Sequence, residues 1–206
     1  MAKVPKPLPD GVIHHPGFYP REAQQSLLAD VRAGVAAAPL YVPTMPRTGK
    51  PLSVRMTNFG TLGWVSDKDG GYRYQPRHPV TGNFWPPIPK ELQRLSHDLF
   101  PDEQPPQACL VNFYTDDAKM GLHQDSDETN RTAPVLSVSL GNACLFRIGG
   151  TARNDPTQSF RLESGDVMAL TGPARDAYHG VDRIYPDTND LLRDGGRLNL
   201  TLRRVR

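Results

Sequence analysis

His123 and Asp125 stand two residues apart in LHQDSD, so an extended backbone puts an imidazole and a carboxylate on one face. Taken alone, the pair also fits a polar loop inside the acidic stretch TDDAKMGLHQDSDE. His179, in AYHGV, shifts the balance, because loops at the mouth of a β structure carry function. Two imidazoles and one carboxylate on three positions of an octahedron form the facial set typical of non-haem iron(II) oxygenases. One ligand charge leaves the ion net positive with three open positions, two for a bidentate 2-oxo acid and one for dioxygen. His14, His15, His78 and His97 have no carboxylate at strand spacing and are poor ligand candidates.

A second constellation closes the chain. In RLNLTLR, Leu198, Leu200 and Leu202 share one strand face, and Arg197, Asn199, Thr201 and Arg203 the other. A half-buried strand with a solvated polar face has this pattern. An inward polar face fits it too if a dianion pairs the charges, since arginine forks match carboxylates and unpaired buried charge is costly. A dicarboxylate such as 2-oxoglutarate is such a partner, and removing Arg203 would then raise the 2-oxoglutarate requirement far more than it unfolds the protein. Asn112 and Tyr114, in LVNFY, share a strand face and supply an amide and a phenol to the same ligand. Thr201 reads as an ordinary strand residue.

These groups need a rigid frame. Ala23, Leu27, Leu28, Val31 and Val35 fall at helical spacing after Pro20, and Leu92, Leu95 and Leu99 mark a second amphipathic helix in PKELQRLSHDLF. Short strand pieces are expected around Val12 and Phe18, and hairpins across PLYVPTMPRTGKPLSVRMTNFGTLGWVS. GGYRYQPRHPVTGNFWPPIP reads as loop. Beyond Pro105, QACLVNFYT, APVLSVSLG, ACLFRIGG, QSFRLESGDVMALTG and RLNLTLRRV are strand-like runs with no helix between them. That order predicts an α+β, β-rich chain with an antiparallel sandwich or jelly roll as its core. We read one domain over 1–206: an N-terminal arm and helix (1–40), an insertion or lid (41–86) and the core (87–206).

The 206 residues carry a net charge of +2, so no strong basic field advertises nucleic acid or a membrane, although a local basic patch stays open. Cys109 and Cys144 sit in apolar runs and fit a reducing compartment. MAKVPKPLPDGV lacks the apolar core of a secretory signal, and no stretch has the length of a membrane span, so the cytoplasm is the expected location.

The segments QACLVNFY, LHQDSDE, APVLSVSLG, FRIGG, RNDP, LESGDVMAL, YHGV and RLNLTLR, in this order, resemble the catalytic core of the AlkB family of iron(II)- and 2-oxoglutarate-dependent dioxygenases, in particular its bacterial DNA-repair members. TNFGTLGW and GYRYQP extend the likeness to about three quarters of the chain. The resemblance implies a double-stranded β-helix with a β-hairpin nucleotide-recognition lid. It implies that His123, Asp125 and His179 hold iron(II), and that Asn112, Tyr114, Arg197, Asn199 and Arg203 hold 2-oxoglutarate, with Arg203 toward the metal. The implied reaction is oxidative demethylation of N-alkylated bases such as 1-methyladenine and 3-methylcytosine. Dioxygen and 2-oxoglutarate are consumed, and succinate, carbon dioxide and formaldehyde are released.

By the same resemblance, Trp64 and Tyr72 are aromatics of the lid that receive a base taken out of its stack, with His123 as the opposing face. Without it, Trp64 would pass for a core residue. Asp127 would select the cationic lesion, and Arg153 would touch the substrate. Arg47, Lys50, Arg55, Arg73, Arg77 and Lys119 are candidate phosphate contacts or ordinary surface charges, and Asp116, Asp117 and Glu128 read as solvated loop acids. The chain departs from the bacterial pattern at Phe113 (in place of a polar or basic residue), at Leu170 (in place of a tryptophan) and in an extra lid glycine in DKDGGYRYQP. The expected partner is alkylated DNA, single-stranded by preference, with RNA as a further substrate, bound by a monomer. Alternatives are an oxygenase of the same chemistry acting on tRNA, protein or a small molecule, a non-catalytic jelly-roll binding module, and a cupin-type hydrolase. The last has no use for two arginines on one strand.

Overall fold

The alternation of RLNLTLR sets the layering of the molecule. In the computed structural model, which describes residues 7–206, the elements in chain order are β1 (Val12–His15), α1 (Arg21–Ala37), β2 (Arg55–Gly60), β3 (Gly63–Asp67), β4 (Gly71–Gln75), α2 (Lys90–Leu99), β5 (Ala108–Tyr114), β6 (Met120–His123), β7 (Val135–Gly141), β8 (Ala143–Ile148), β9 (Gln158–Leu162), β10 (Val167–Leu170), β11 (His179–Tyr185) and β12 (Arg197–Arg203). A six-stranded antiparallel sheet runs β1-β10-β7-β12-β5-β2, and a four-stranded one runs β6-β11-β8-β9. β12 lies between β5 and β7, paired along its length with both.

Each face of β12 belongs to a different core. Leu198, Leu200 and Leu202 pack with Leu27, Leu28 and Val31 of α1 and with Leu92 and Leu95 of α2. On neighbouring β5, Leu110 and Tyr114 point the other way and pack with Phe146, Ile148, Val181 and Ile184 of the small sheet. The result is three layers, helices on large sheet on small sheet, and the space between the sheets is where β12 turns its arginines. Truncating Leu200, which is fully buried, would cost about 2–5 kcal/mol by the usual scale of core cavities. This is the β-rich jelly-roll arrangement that the strand order predicts, and the double-stranded β-helix that the resemblance implies.

Several local expectations need correction. The segment read as loop, GGYRYQPRHPVTGNFWPPIP, begins with strand β4, which pairs with β3 to form a separate two-stranded sheet. Alternation there joins tyrosines to arginine and glutamine, a pattern too polar to announce a strand. The 41–86 segment is not all lid, because β2 pairs with β5 and completes the large sheet. Phe18 lies outside any strand, while β1 forms as expected. His179, expected in a loop, follows strand β10 and a turn but itself opens strand β11. Residues 1–6 of the expected N-terminal arm lie outside the described residues. Cys109 and Cys144 are free and buried.

Candidate active site

His123 ends β6 and His179 opens β11, and the two are register partners across that strand pair. Gly180 makes the pairing close, because a Cβ there would run into the carbonyl of Met120 on β6. Asp125 reaches the same point from the loop after β6. The three side chains bring one ligand atom each to within 4.8 Å of one another. Asp125 Oδ1 is 3.8 Å from His123 Nε2, and its Oδ2 is 3.7 Å from His179 Nε2.

The same local device fixes both tautomers. His123 Nδ1 is 3.0 Å from the carbonyl of Gly121, and His179 Nδ1 is 3.0 Å from that of Ala177. A carbonyl only accepts, so each Nδ1 carries the proton and each Nε2 turns a lone pair to the shared centre. Burial pushes His179 down to about 4 despite the attraction of Asp125, which keeps the ring neutral at neutral pH. Burial alone would raise the Asp125 carboxyl, but Arg203, then His179 and His123, hold it far below the usual range. Its Oδ2 is buried without a hydrogen-bond partner. Two imidazole Nε2 atoms and an anionic, unpartnered oxygen are a donor set suited to iron(II).

Asn112, Tyr114, Arg197, Asn199 and Arg203 line one cavity together with His123, Asp125 and His179. The apolar wall includes Phe146, Leu162 and Leu170, so the smaller residue at 170 faces this cavity. Arg197 is 1% exposed, and donates to Ser139 Oγ at 2.6 Å and to the carbonyl of Asn142 at 3.3 Å. Its Nε and that of Arg203 are buried and unpaired, a cost that a carboxylate ligand would remove. Thr201, taken as an ordinary strand residue, also lines the cavity and accepts from Asn199 Nδ2 at 2.8 Å.

Arg203 differs from the expected free fork. Its Nη2 is 2.6 Å from Asp125 Oδ1 and its Nη1 is 2.8 Å from Glu128 Oε1. Glu128, read as a solvated acid, is 3% exposed and lies between Arg203 and Arg175. Burial alone would raise its carboxyl, yet Arg203 keeps it below the usual range. Sequence reasoning missed Glu128, Arg175 and Tyr74; the one local signal was that Glu128 follows Asp125 within a single short loop.

A second space, a groove of about 300 Å³, is lined by Trp64, Tyr72, Asp127 and Lys119 and shares Asn112, Met120, His123, Asp125 and Arg203 with the first. Trp64 and Tyr72, from the two strands of the hairpin, stack on each other at 5.5 Å between centroids and 23°. Trp64 Nε1 donates to Asp127 Oδ2 at 2.7 Å. Arg153 lines neither space; it donates to the carbonyl of Leu122 at 3.3 Å, with its guanidinium above Tyr178.

Of the candidate phosphate contacts, only Lys119 lines the groove. Arg73 is paired with Asp67, Arg77 lies over Phe84 and Arg55 over Phe113, while Arg47 and Lys50 are exposed. Asp116 accepts from Asn142 Nδ2, and Asp117 from Thr115. His78 is buried and held by the carbonyl of Pro39, and His14 pairs with Asp166, so neither is placed as a ligand. Among the described residues no helix is long and apolar enough to cross a membrane.

Comparison with known proteins agrees with this geometry. The profile of the 2OG-Fe(II) oxygenase superfamily matches residues 11–203. An alpha-ketoglutarate-dependent dioxygenase AlkB homolog of Caulobacter vibrioides is 54% identical over 191 residues, covering 93% of this chain and 86% of that protein. The alpha-ketoglutarate-dependent dioxygenase AlkB of Escherichia coli K12 is 39% identical over 188 residues, covering 89% and 85%. The solved structure of OsALKBH1 superposes with a TM-score of 0.79 at 31% identity, covering 97% of this chain and all of that one.

Proposed function

Since the chain belongs to the AlkB family within the 2OG-Fe(II) oxygenase superfamily, we propose that its groove receives a single N-alkylated nucleobase and holds the alkyl carbon over the His123–Asp125–His179 centre. The protein is an iron(II)- and 2-oxoglutarate-dependent dioxygenase of the type that demethylates alkylated nucleic-acid bases. One observation carries the assignment of residues: the cavity with the buried arginines and the groove with the stacked aromatics share His123 and Asp125. A cosubstrate in one space and a base in the other would thus both border the residues that would hold the metal.

Iron(II) and 2-oxoglutarate, when bound, supply the activated oxygen that hydroxylates the alkyl carbon. The chain does the rest by placement. His123, Asp125 and His179 hold the ion, and Arg197, Asn199, Arg203, Asn112 and Tyr114 hold the dicarboxylate with its charge paired. Trp64, Tyr72 and the imidazole of His123 compensate a flipped base for its lost stacking. Asp127 sets a carboxylate in the groove, where a cationic lesion such as 1-methyladenine or 3-methylcytosine gains more than a neutral base. Arg153 meets the substrate from the rim. Hydroxylation leaves a hemiaminal on the ring nitrogen; its hydroxyl proton goes to water, the C–N bond breaks with its electron pair returning to the ring nitrogen, and formaldehyde and the neutral base are released, removing the charge that Asp127 holds.

The proposed substrate is alkylated DNA, single-stranded by preference because flipping then costs least, with RNA also accepted. The proposed form is a monomer in the cytoplasm. The test is to incubate the iron(II)-loaded protein with 2-oxoglutarate, air and an oligonucleotide carrying 3-methylcytosine, and to follow succinate and formaldehyde. Stoichiometric formation of both supports the proposal. Succinate without formaldehyde across methylated DNA and RNA would retain the oxygenase and discard the nucleobase.

A further inference from the structure

Groups from distant parts of the chain meet at Asp125. Arg203 on β12 spends its Nη2 on Asp125 Oδ1 and its Nη1 on Glu128 Oε1. The same Nη1 lies 3.3 Å from the hydroxyl of Tyr74 on β4, and that hydroxyl donates to Glu128 Oε1. Glu128 Oε2 takes Arg175 Nη2 at 3.3 Å, and Arg175 also donates to the carbonyls of Asp125 and Ala133. Two protein carboxylates therefore occupy the Nη1–Nη2 edge of Arg203, and Nε, buried and unpartnered, is the donor left over.

A guanidinium is planar and rigid, so two fixed contacts on different nitrogens define the plane of the whole group. Contact with Asp125 alone would leave it free to roll about that hydrogen bond. The second contact is Glu128, and Tyr74 ties it to the hairpin. Trp64 is the residue directly opposite Tyr74 across β3 and β4, and it binds Asp127. The hairpin is thus clipped to one short loop, 125–128, at two points. The Trp64–Asp127 clip is exposed in the groove, whereas the Tyr74–Glu128 clip is partly buried and touches Arg203.

We propose that Tyr74 and Glu128 are positioning residues that set the roll of Arg203, holding its Nη2 on Asp125 at the cavity that Arg203 lines, and that they couple this orientation to the seating of the hairpin. The proposal rests on the oxygenase reading above. Coupling of this kind is reciprocal: if a seated hairpin improves 2-oxoglutarate binding, 2-oxoglutarate must steady the hairpin by the same factor. An aromatic hydroxyl on the lid thereby reports the state of the cosubstrate site to the surface that receives the base. Tyr74 suits this role because it is uncharged, so its hydroxyl joins the network without adding a buried charge.

The test uses the full chain, loaded anaerobically with manganese(II) so that no turnover occurs. 2-Oxoglutarate affinity is measured by calorimetry, and amide hydrogen exchange is followed across 63–75 with and without 2-oxoglutarate. In the unmodified protein, 2-oxoglutarate slows exchange of the hairpin. Tyr74→Phe, which removes only the hydroxyl, is expected to weaken 2-oxoglutarate about five- to tenfold and to abolish that slowing, with manganese affinity changed by less than about twofold. Retention of both the affinity and the exchange response in Tyr74→Phe overturns the proposal. Glu128→Gln, which keeps the shape of the side chain, should lose the response as well, and an unchanged response there overturns it even if Tyr74→Phe folds poorly. An unmodified protein that binds no 2-oxoglutarate with manganese contradicts the oxygenase reading itself. One that binds it while the hairpin fails to respond contradicts only the coupling.

Discussion

The indole N–H of Trp64 meets Asp127 Oδ2 at 2.7 Å, so an aromatic wall of the groove and the carboxylate within it form one hydrogen-bonded unit. Asp127 therefore has two tasks, to hold the ring and to offer charge to a base, and they separate by substitution. Asp127→Asn keeps an acceptor for the indole but loses the charge. The ratio of kcat/KM for a cationic over a neutral alkylated base should fall about tenfold. An unchanged ratio would leave Asp127 with the first task alone.

Trp64 lines the groove and not the arginine cavity. Trp64→Ala should weaken binding of a lesion-bearing oligonucleotide by about 1–3 kcal/mol, the scale of one base–aromatic stack. Affinity for 2-oxoglutarate, measured on the same protein, should move much less. Equal losses of both would place Trp64 in the frame of the fold.

The two arginines of β12 should respond differently. From the sequence, Arg203→Ala is expected to act mainly on the 2-oxoglutarate requirement. The structure argues for the opposite order, because the substitution removes the arginine bound to two buried carboxylates, Asp125 and Glu128, of which Glu128 keeps only Arg175. A loss of about 3–5 kcal/mol is expected for breaking such a pair, visible in urea unfolding. Arg197 contacts a hydroxyl and a carbonyl instead, so Arg197→Met should raise the KM for 2-oxoglutarate with a smaller loss of stability.

Acid should destabilise the metal-free protein before the ordinary carboxylates titrate. His179 is held at about 4 in the fold against 6.5 in an open chain. The unfolded state takes up this proton first, so stability is unaffected above pH 6.5 and falls as pH drops from 6.5 towards 4. The full effect is about 3 kcal/mol. Asp125, whose carboxyl is held low, extends the decline below that window. The melting temperature across this range should fall steeply for the unmodified protein and less steeply for His179→Gln.

Gly180 lets β11 approach β6 closely enough to bring the two histidines together. In Gly180→Ala the new methyl group meets the Met120 carbonyl, and separating the strands costs about 1–3 kcal/mol. Metal affinity should fall further than stability does, because the ligands move apart with the strands. A manganese(II) titration alongside thermal unfolding would check the order of these losses.

The sequence determined the residue types of the site and the two faces of β12. A strand alternates by its own geometry, so Leu198, Leu200 and Leu202 had to part from Arg197, Asn199 and Arg203 whatever surrounded them. Helical spacing in the same way marked α1 and α2. Which polar face turns inward is a different kind of fact. Glu128 looks like a solvated acid among its neighbours, and it is buried because Arg203, 75 residues away, and Arg175, 47 residues away, converge on it. Tyr74 sits in a run too polar to read as a strand, and its hydroxyl finds Arg203 from 129 residues away. Glu128 can be buried because opposite charge converges on it, and that pairing is decided by how the sheets close, not by the residues on either side.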